Sequence, residues 1–330
     1  MTLATIKDVA KLANVSTATV SRVLNSNGYV NEQTKERVEK AIRELDYLPN
    51  DVARNLFKGR SKMIALFVPD IMNPFFPELA RAVEDVTRDH GYTFILCNTD
   101  DDIHKEIAYL NALQQKSVDG IIIVSSTITT SSIQKIKVPV IALDRIVSSD
   151  LPSITVNNRD GAREAVRYLQ AIGCKQIAHI SGPEEVSNTA LRMQGYLDEV
   201  KNEHWFKPSY IQQGEYNPDR AMEETKKLLT KHPEIDGIFV ANDLMGVGVL
   251  KAAKALHIKV PDDLSVISFD GIALGEMITP SLTTMAQPIY DLGARAAEML
   301  IKRIKNPNQK IINEEIEVEL IVRESTRARS

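Results

Sequence analysis

The sequence predicts two architectures in one chain: an all-α helix-turn-helix head, then an α/β core of two lobes, each a parallel sheet flanked by helices. Three observations predict it. Apolar residues recur every three or four positions through residues 5–45, the period of helices that pack on one another. From Met63 onward the pattern changes to short continuous apolar runs alternating with helical stretches, as expected of strands buried on both faces. Charge divides at the same place: residues 1–60 hold ten Lys/Arg and seven Asp/Glu, a net of +3, and the other 270 residues hold 30 and 37, a net of −7. A basic head on an acidic body points to nucleic acid as the head's partner.

In the head, Ile6, Val9, Ala10 and Ala13 share one helical face. Asn14-Val15 interrupts the pattern, and Ser16 is placed to accept a hydrogen bond from the free N–H groups of a second helix. Val20, Val23 and Leu24 supply that helix's buried stripe, which leaves Thr17, Ala18, Ser21 and Arg22 outward. Such a face suits the major groove of DNA, where short hydroxyls and an arginine reach base edges. Alone, the pair would equally suit any small helical domain. Residues 25–28, Asn-Ser-Asn-Gly, are turn chemistry. Asn31 caps a third helix with Thr34 and Lys35 in its first turns and Val38, Ala41, Ile42 and Leu45 on its apolar face, and Pro49 ends the head.

Residues 52–57 are expected to form a further helical piece between Pro49 and Gly59. A helix this short is marginal in water. It is either a plain linker or a hinge helix that orders only against a partner, such as the DNA minor groove.

The core opens with strand 64–68 and helix 77–90, whose stripe is Leu79, Val83 and Val86 and which Gly91 stops. Strand 92–97, helix 103–116, strands 120–124 and 140–143, helix 160–171, strand 176–180 and helix 188–202 follow. Then come strand 209–213, helix 218–231, strand 237–240, helix 244–257, strand 265–269, a short strand before Gln287, helix 290–304 and a final strand 314–322. That much alternation exceeds one sheet, hence two lobes. The predicted boundaries are a head at 1–48, a hinge or linker at 49–61, and a core at 62–330. Within the core, one lobe spans about 62–158 and 290–320, the other about 159–289 and 321–330.

Hydrophobic content of 43% and charged content of 25% are those of an ordinary globular protein. No early apolar run marks a secretion signal and no stretch approaches the ~20 apolar residues of a membrane helix, so the expected location is the cytoplasm. Cys97 and Cys174 are expected as reduced, buried thiols, too few for a zinc site. No metal, cofactor or enzymatic chemistry is expected. Asp100-Asp101-Asp102 reads as a solvated acidic turn, and His179 and Ser181 share a strand face without a third orienting group. No GxxxxGK phosphate loop occurs.

Ligands of open α/β sheets sit beyond the C-terminal ends of the strands. Those positions hold Asp70, Asn73, Phe75 and Phe76; Ser125 and Ser126; Asp144 and Arg145; a loop leading to Arg192; Tyr216; Asn242 and Asp243; Asp270 and Gly271; and Gln287. Aromatic faces, carboxylates, amides and two arginines suit a neutral polyhydroxylated ligand: polar groups fix its hydroxyls while rings pack on its C–H side. Any one Asp or Asn after a strand equally serves as a helix cap, and a lone arginine as a surface ion pair. The reading rests on their common place.

These residues carry a resemblance. Thr5-Ile-Lys-Asp-Val-Ala10, Val15-Ser16, Thr19-Val-Ser-Arg22, Tyr47-Leu-Pro-Asn50 and Val52-Ala-Arg-Asn-Leu56 match the head and hinge patterns of the LacI/GalR family of bacterial transcription repressors. Asn73-Pro-Phe-Phe76, Leu143-Asp-Arg145, Ala241-Asn-Asp243 and Ser268-Phe-Asp270 match its sugar-binding core. The chain thus resembles the family along essentially its full length, which implies a periplasmic-binding-protein-like core. Ribose-binding relatives match most fully: paired aromatics at Phe75 and Phe76, Asp144-Arg145 after a strand, Arg192, and Asn242, Asp270 and Gln287. Tyr216 stands where they carry phenylalanine, and Ser125 where they carry asparagine.

The resemblance implies a ligand-controlled repressor, with double-stranded operator DNA, a small sugar (ribose) and a second copy of the chain as partners. Contacts to a pseudo-palindromic operator fall to Thr5, Ser16, Thr17, Ala18, Thr19, Ser21, Arg22, Asn25, Tyr29 and Asn50. Thr17, Ala18 and Arg22 take the base-reading positions. Ala53 approaches the minor groove and Leu56 wedges between base pairs at the operator centre. No heptad tail follows the last strand, so a homodimer is expected, with the Leu79–Val86 face as a candidate interface unless it packs on its own sheet. Other readings are another sugar, a protein corepressor, which nothing in the chain indicates, or a sugar-binding protein with no DNA role.

Overall fold

The computed structural model describes residues 4–25, 28–47, 61–125, 127–148, 150–308 and 312–328. The chain divides into two compact units, Met1–Ser61 and Lys62–Ser330. The expected hinge segment 52–57, with Asn50, Ala53 and Leu56, lies outside the described residues.

The first unit holds α1 (Ile6–Ala13), α2 (Thr17–Asn25) and α3 (Glu32–Glu44). Val9, Ala10, Ala13, Val20, Val38, Ala41 and Tyr47 form its core, so the apolar period is spent as expected. Local chemistry sets the ends. The Thr5 backbone N–H and hydroxyl both donate to Asp8 Oδ2, at 2.8 and 2.7 Å. Asn14 closes α1 in the left-handed conformation at φ 52°, a conformation asparagine tolerates. Ser16 Oγ accepts from Thr19 N at 3.1 Å, the cap expected of it.

The second unit holds two six-stranded sheets. The first is built from β1 (Met63–Val68), β2 (Thr93–Asn98), β3 (Gly120–Ile123), β4 (Val140–Leu143), β5 (Ser153–Val156) and β11 (Glu314–Ile316), in the order β11-β5-β4-β3-β1-β2, all parallel. The second comprises β6 (Ile177–Ser181), β7 (Ile211–Gln213), β8 (Gly237–Val240), β9 (Ser265–Asp270), β10 (Thr283–Ala286) and β12 (Glu319–Ile321), in the order β12-β10-β9-β8-β6-β7. Ile64 to Val68 are fully buried, as a strand covered on both faces requires. Helices follow the strands: α4 (Phe75–Asp89), α5 (Ile103–Gln115), α6 (Thr130–Ile133), α7 (Asn158–Ala171), α8 (Ser187–Val200), α9 (Pro218–Lys231), α10 (Asp243–Ala255), α11 (Ala273–Met277) and α12 (Ile289–Lys305).

Three features depart from the expected order. The final strand is two strands, β11 in the first sheet and β12 in the second, and β12 pairs antiparallel with β10. The chain therefore crosses between sheets at Glu317-Val318, and Asn157 marks the earlier crossing beside it by accepting from Val318 N at 3.0 Å. The strand Ser153–Val156 was not expected. Finally, the stripe expected as a candidate interface is spent inside the chain: Leu79 and Val83 are fully buried. A side chain at Gly293 of α12 would meet the Leu79 carbonyl at 2.6 Å, so this glycine lets α12 and α4 pack backbone to backbone.

Candidate functional site

The C-terminal ends of the strands from both sheets meet at a cleft of about 360 Å³. Eight of the ten expected ligand residues line it: Phe75, Phe76, Asp144, Arg145, Arg192, Tyr216, Asn242 and Asp270. Each is placed by an ordinary local device. Asn73 caps the turn before α4 through its side-chain oxygen and Phe75 N at 3.1 Å, which sets Phe75 and Phe76 edge to face with centroids 5.2 Å apart. Asn242 caps α10 by accepting from Met245 N at 2.9 Å.

Arg192 is the most constrained member. It is 1% exposed, its Nε donates to Asn158 Oδ1 at 2.8 Å, and its Nη1 donates to the Ala241 carbonyl at 2.6 Å and to Asp270 Oδ1 at 3.1 Å. Its Nη2 is buried with no hydrogen-bond partner among the described residues, a donor whose burial costs free energy unless an acceptor meets it. Across the cleft, Arg145 Nη1 donates to Asp101 Oδ1 at 3.0 Å. Asn188 joins the two sides: its Nδ2 donates to Asp144 Oδ2 at 3.2 Å and its Oδ1 accepts from the Tyr216 hydroxyl at 3.1 Å. Ile146 N donates to Ser187 Oγ at 3.2 Å in a second cross-link between the lobes.

Burial governs the electrostatics. It raises the proton affinity of Asp144, against the pull of Arg145 and Arg192. It pushes Asp270 up to about 7, with Asp243 and Asp144 adding to the effect and Arg192 and Gln287 opposing it. Strain gathers here too. Asp100, Asp101, Asp144, Glu215, Tyr216 and Asp270 all line the cleft and all have positive φ, between 49° and 110°. Such conformations cost about 1–3 kcal/mol each and persist where the surroundings hold them, typically at binding sites.

Two expected residues are not on the cleft wall. Ser125 is buried and its Oγ accepts from Thr127 N at 3.1 Å and Ile128 N at 3.0 Å, so the hydroxyl caps its own loop. Gln287 acts one step removed, its Nε2 donating to Asp270 Oδ1 at 2.8 Å. Conversely, Asp101, expected as a solvated turn residue, pairs with Arg145. Asn188 was not expected either, although it lies one helical turn before Arg192 on the same face of α8, the spacing that identifies it. His179 and Ser181 form no nucleophilic pair: His179 is stacked between Tyr196 and Phe239, with Nδ1 donating to the Phe239 carbonyl at 3.0 Å.

In the head, Ser16, Thr17, Ala18 and Arg22 are exposed, Thr19 and Ser21 are half-buried, and Tyr29 is 94% exposed. Ala18 and Arg22 lie on the face of α2 opposite Val20, which is fully buried. The Thr5 hydroxyl is engaged with Asp8. The Asn25 side chain lies outside the described residues.

Residues 5–50 match the bacterial regulatory proteins, lacI family, and residues 166–326 match a periplasmic binding protein-like domain. The ribose operon repressor of Halalkalibacterium halodurans is 47% identical over 325 residues, 98% of this chain and 98% of that protein. The lac repressor dimer bound to operator and the anti-inducer ONPF is similar in structure, with a TM-score of 0.89, 27% identity, and coverage of 99% of this chain and 100% of that one. A LacI family transcriptional regulator from Enterococcus faecium with bound ribose gives a TM-score of 0.73 at 29% identity, covering 80% of this chain and 98% of that one.

Proposed function

The chain belongs to the lacI family of bacterial regulatory proteins, and from that membership we propose that it is a DNA-binding transcriptional repressor whose effector is ribose, bound between the lobes of the core. It is a regulator and not an enzyme, in keeping with relatives that are repressors.

The observation that carries the effector assignment is the cleft's pairing of aromatic faces with opposed Asp-Arg groups. Phe75 and Phe76 offer apolar surface to the C–H side of a sugar. Asp144 and Arg145 from one lobe, and Arg192, Asn242 and Asp270 from the other, offer fixed acceptors and donors for its hydroxyls. Six carboxylates line the cleft against two guanidiniums, which favours a neutral sugar over a phosphorylated one. The ribose operon repressor that is 47% identical and the ribose-bound regulator of the same fold support this choice.

Control follows from where the sugar sits. Asp144–Asn188 and Ile146–Ser187 hold the lobes in one relation, and a sugar that engages Asp144, Arg145, Arg192 and Asp270 resets it. A differential affinity of about 1–3 kcal/mol between two lobe arrangements is a typical allosteric coupling. The output end is the head: in a homodimer, paired α2 helices would enter successive major grooves of a pseudo-palindromic operator, with Thr17, Ala18 and Arg22 at the bases. The setting is the chromosomal DNA of the cytoplasm. Calorimetric titration of the full chain against ribose, a hexose, ribose 5-phosphate and a purine tests the effector. Ribose is expected to bind most tightly; a preference for one of the others overturns the assignment.

A further inference from the structure

Asp243 opens α10 directly after Asn242, yet it is not part of the cleft wall. Asp243 is 1% exposed and both oxygens of its carboxylate are engaged. Oδ2 accepts from Ile272 N at 2.7 Å, the Gly271 amide adds a second backbone donor, and Oδ1 accepts from the Thr284 hydroxyl at 2.8 Å and from Ser268. The two amides belong to an unusual turn. Asp270 has φ 110° and Gly271 φ 82°, and a side chain at Gly271 would strike Ala286 Cβ at 2.6 Å. Only a glycine fits there, and a non-glycine at 110° needs an outside hold. Asp243 supplies that hold.

We propose that Asp243 is a positioning residue for the effector: it clamps the 270–272 turn so that Asp270 faces the sugar, and its charge couples sugar binding to a proton. This rests on the reading of the cleft as the effector site. The groups that face Asp270 are few. Arg192 from α8 and Gln287 beyond β10 favour its ionised form, while Asp243 from α10 and Asp144 beyond β4 disfavour it. The Tyr216 hydroxyl, before α9, completes the set. A sugar hydroxyl donates best to the ionised carboxylate, so ribose displaces the proton that the neighbouring acids retain there.

The test is ribose calorimetry on the full chain between pH 5.5 and 8.5, for the native protein, Asp243→Asn and Ser268→Ala, with thermal unfolding in the same buffers without sugar. Native affinity should rise about tenfold from pH 6 to pH 8, as a carboxylate titrating near 7 requires. Asp243→Asn should weaken binding by roughly tenfold at pH 8 and move the titration midpoint down by roughly one pH unit, because the repelling charge is gone. Ser268→Ala should loosen the clamp, weaken binding several-fold and leave the midpoint in place.

An Asp243→Asn protein with the native midpoint overturns the proposal, whether or not its affinity falls, since a merely structural role would leave the midpoint alone. Where Asp243→Asn does not fold, Ser268→Ala decides: unchanged ribose affinity overturns the clamp. Where the native chain does not bind ribose, the effector assignment fails separately and the sugar-free unfolding still decides. A carboxylate held up near 7 lowers stability as pH rises from about 4 to about 7, and Asp243→Asn must end that fall at a lower pH.

Discussion

Arg192 donates to Asp270 at 3.1 Å while the face of its guanidinium lies 3.8 Å from the centroid of the Phe269 ring. The arginine is thus fixed in plane by a carboxylate and out of plane by an aromatic ring from the same strand. Two further acceptors, Asn158 and the Ala241 carbonyl, come from α7 and from the end of β8. One side chain therefore ties three elements at the floor of the cleft.

Arg192→Ala leaves Asp270 as a buried carboxylate without its cation. Breaking a buried pair from one side costs about 3–5 kcal/mol, so denaturant unfolding should show a loss of that size together with the loss of ribose binding. A loss within the ±0.5 kcal/mol usual for a surface substitution would contradict the reading.

Asn188→Ala removes a side chain that bonds both Asp144 and Tyr216. The buried Asp144 and the half-buried Tyr216 hydroxyl each lose a hydrogen bond, a cost of about 1–3 kcal/mol. Chemical denaturation should show this, and ribose affinity should fall by roughly tenfold as Asp144 loses its orientation. A variant with native affinity would place Asn188 outside the recognition of the sugar.

His179 is buried neutral, its proton affinity pushed down to about 4 chiefly by burial, with the Arg192 charge adding to the effect and the bond to the Phe239 carbonyl opposing it. The unfolded chain takes up this proton near 6.5. Between about 4 and 6.5 the unfolded state therefore binds more protons, and stability falls as pH is lowered through that window. Asp270 acts with the opposite sign over part of the same range. His179→Phe should remove the acid-side loss, so its unfolding free energy should exceed the native protein's by more at pH 5 than at pH 7.5.

Arg22→Ala should weaken operator binding by about 1–3 kcal/mol and relax preference at the base it reads, with little change in head stability because the side chain is exposed. Fluorescence anisotropy with single-base operator variants measures both effects. Val20→Ala, at a fully buried position, should instead destabilise the head.

Most of the fold was legible because its period is local. Ile6, Val9, Ala10 and Ala13, or the unbroken run at Ile64–Val68, announce their element without help from the rest of the chain. What was not legible depends on tertiary partners. Ser153–Val156 is fully buried, but its Ser and Thr hide it among loop residues. The stretch 314–322 reads as one strand because the switch of sheets at Glu317-Val318 is fixed by Asn157, far away in sequence. In the cleft, residues at strand ends were found by the rule for α/β sheets. Ser125 fits the same rule but spends its hydroxyl on its own loop, while Asp101 escaped it because an acidic turn looks solvated until Arg145 folds onto it.

The central claim is that ribose in the cleft controls the head's grip on DNA. Operator affinity of the full chain, titrated with and without saturating ribose, measures that coupling directly. The account predicts a change of about 5- to 150-fold, the range of 1–3 kcal/mol, and its abolition in Arg192→Ala and Asp270→Asn proteins that still bind operator. Ribose that binds the core while leaving operator affinity unchanged would contradict it.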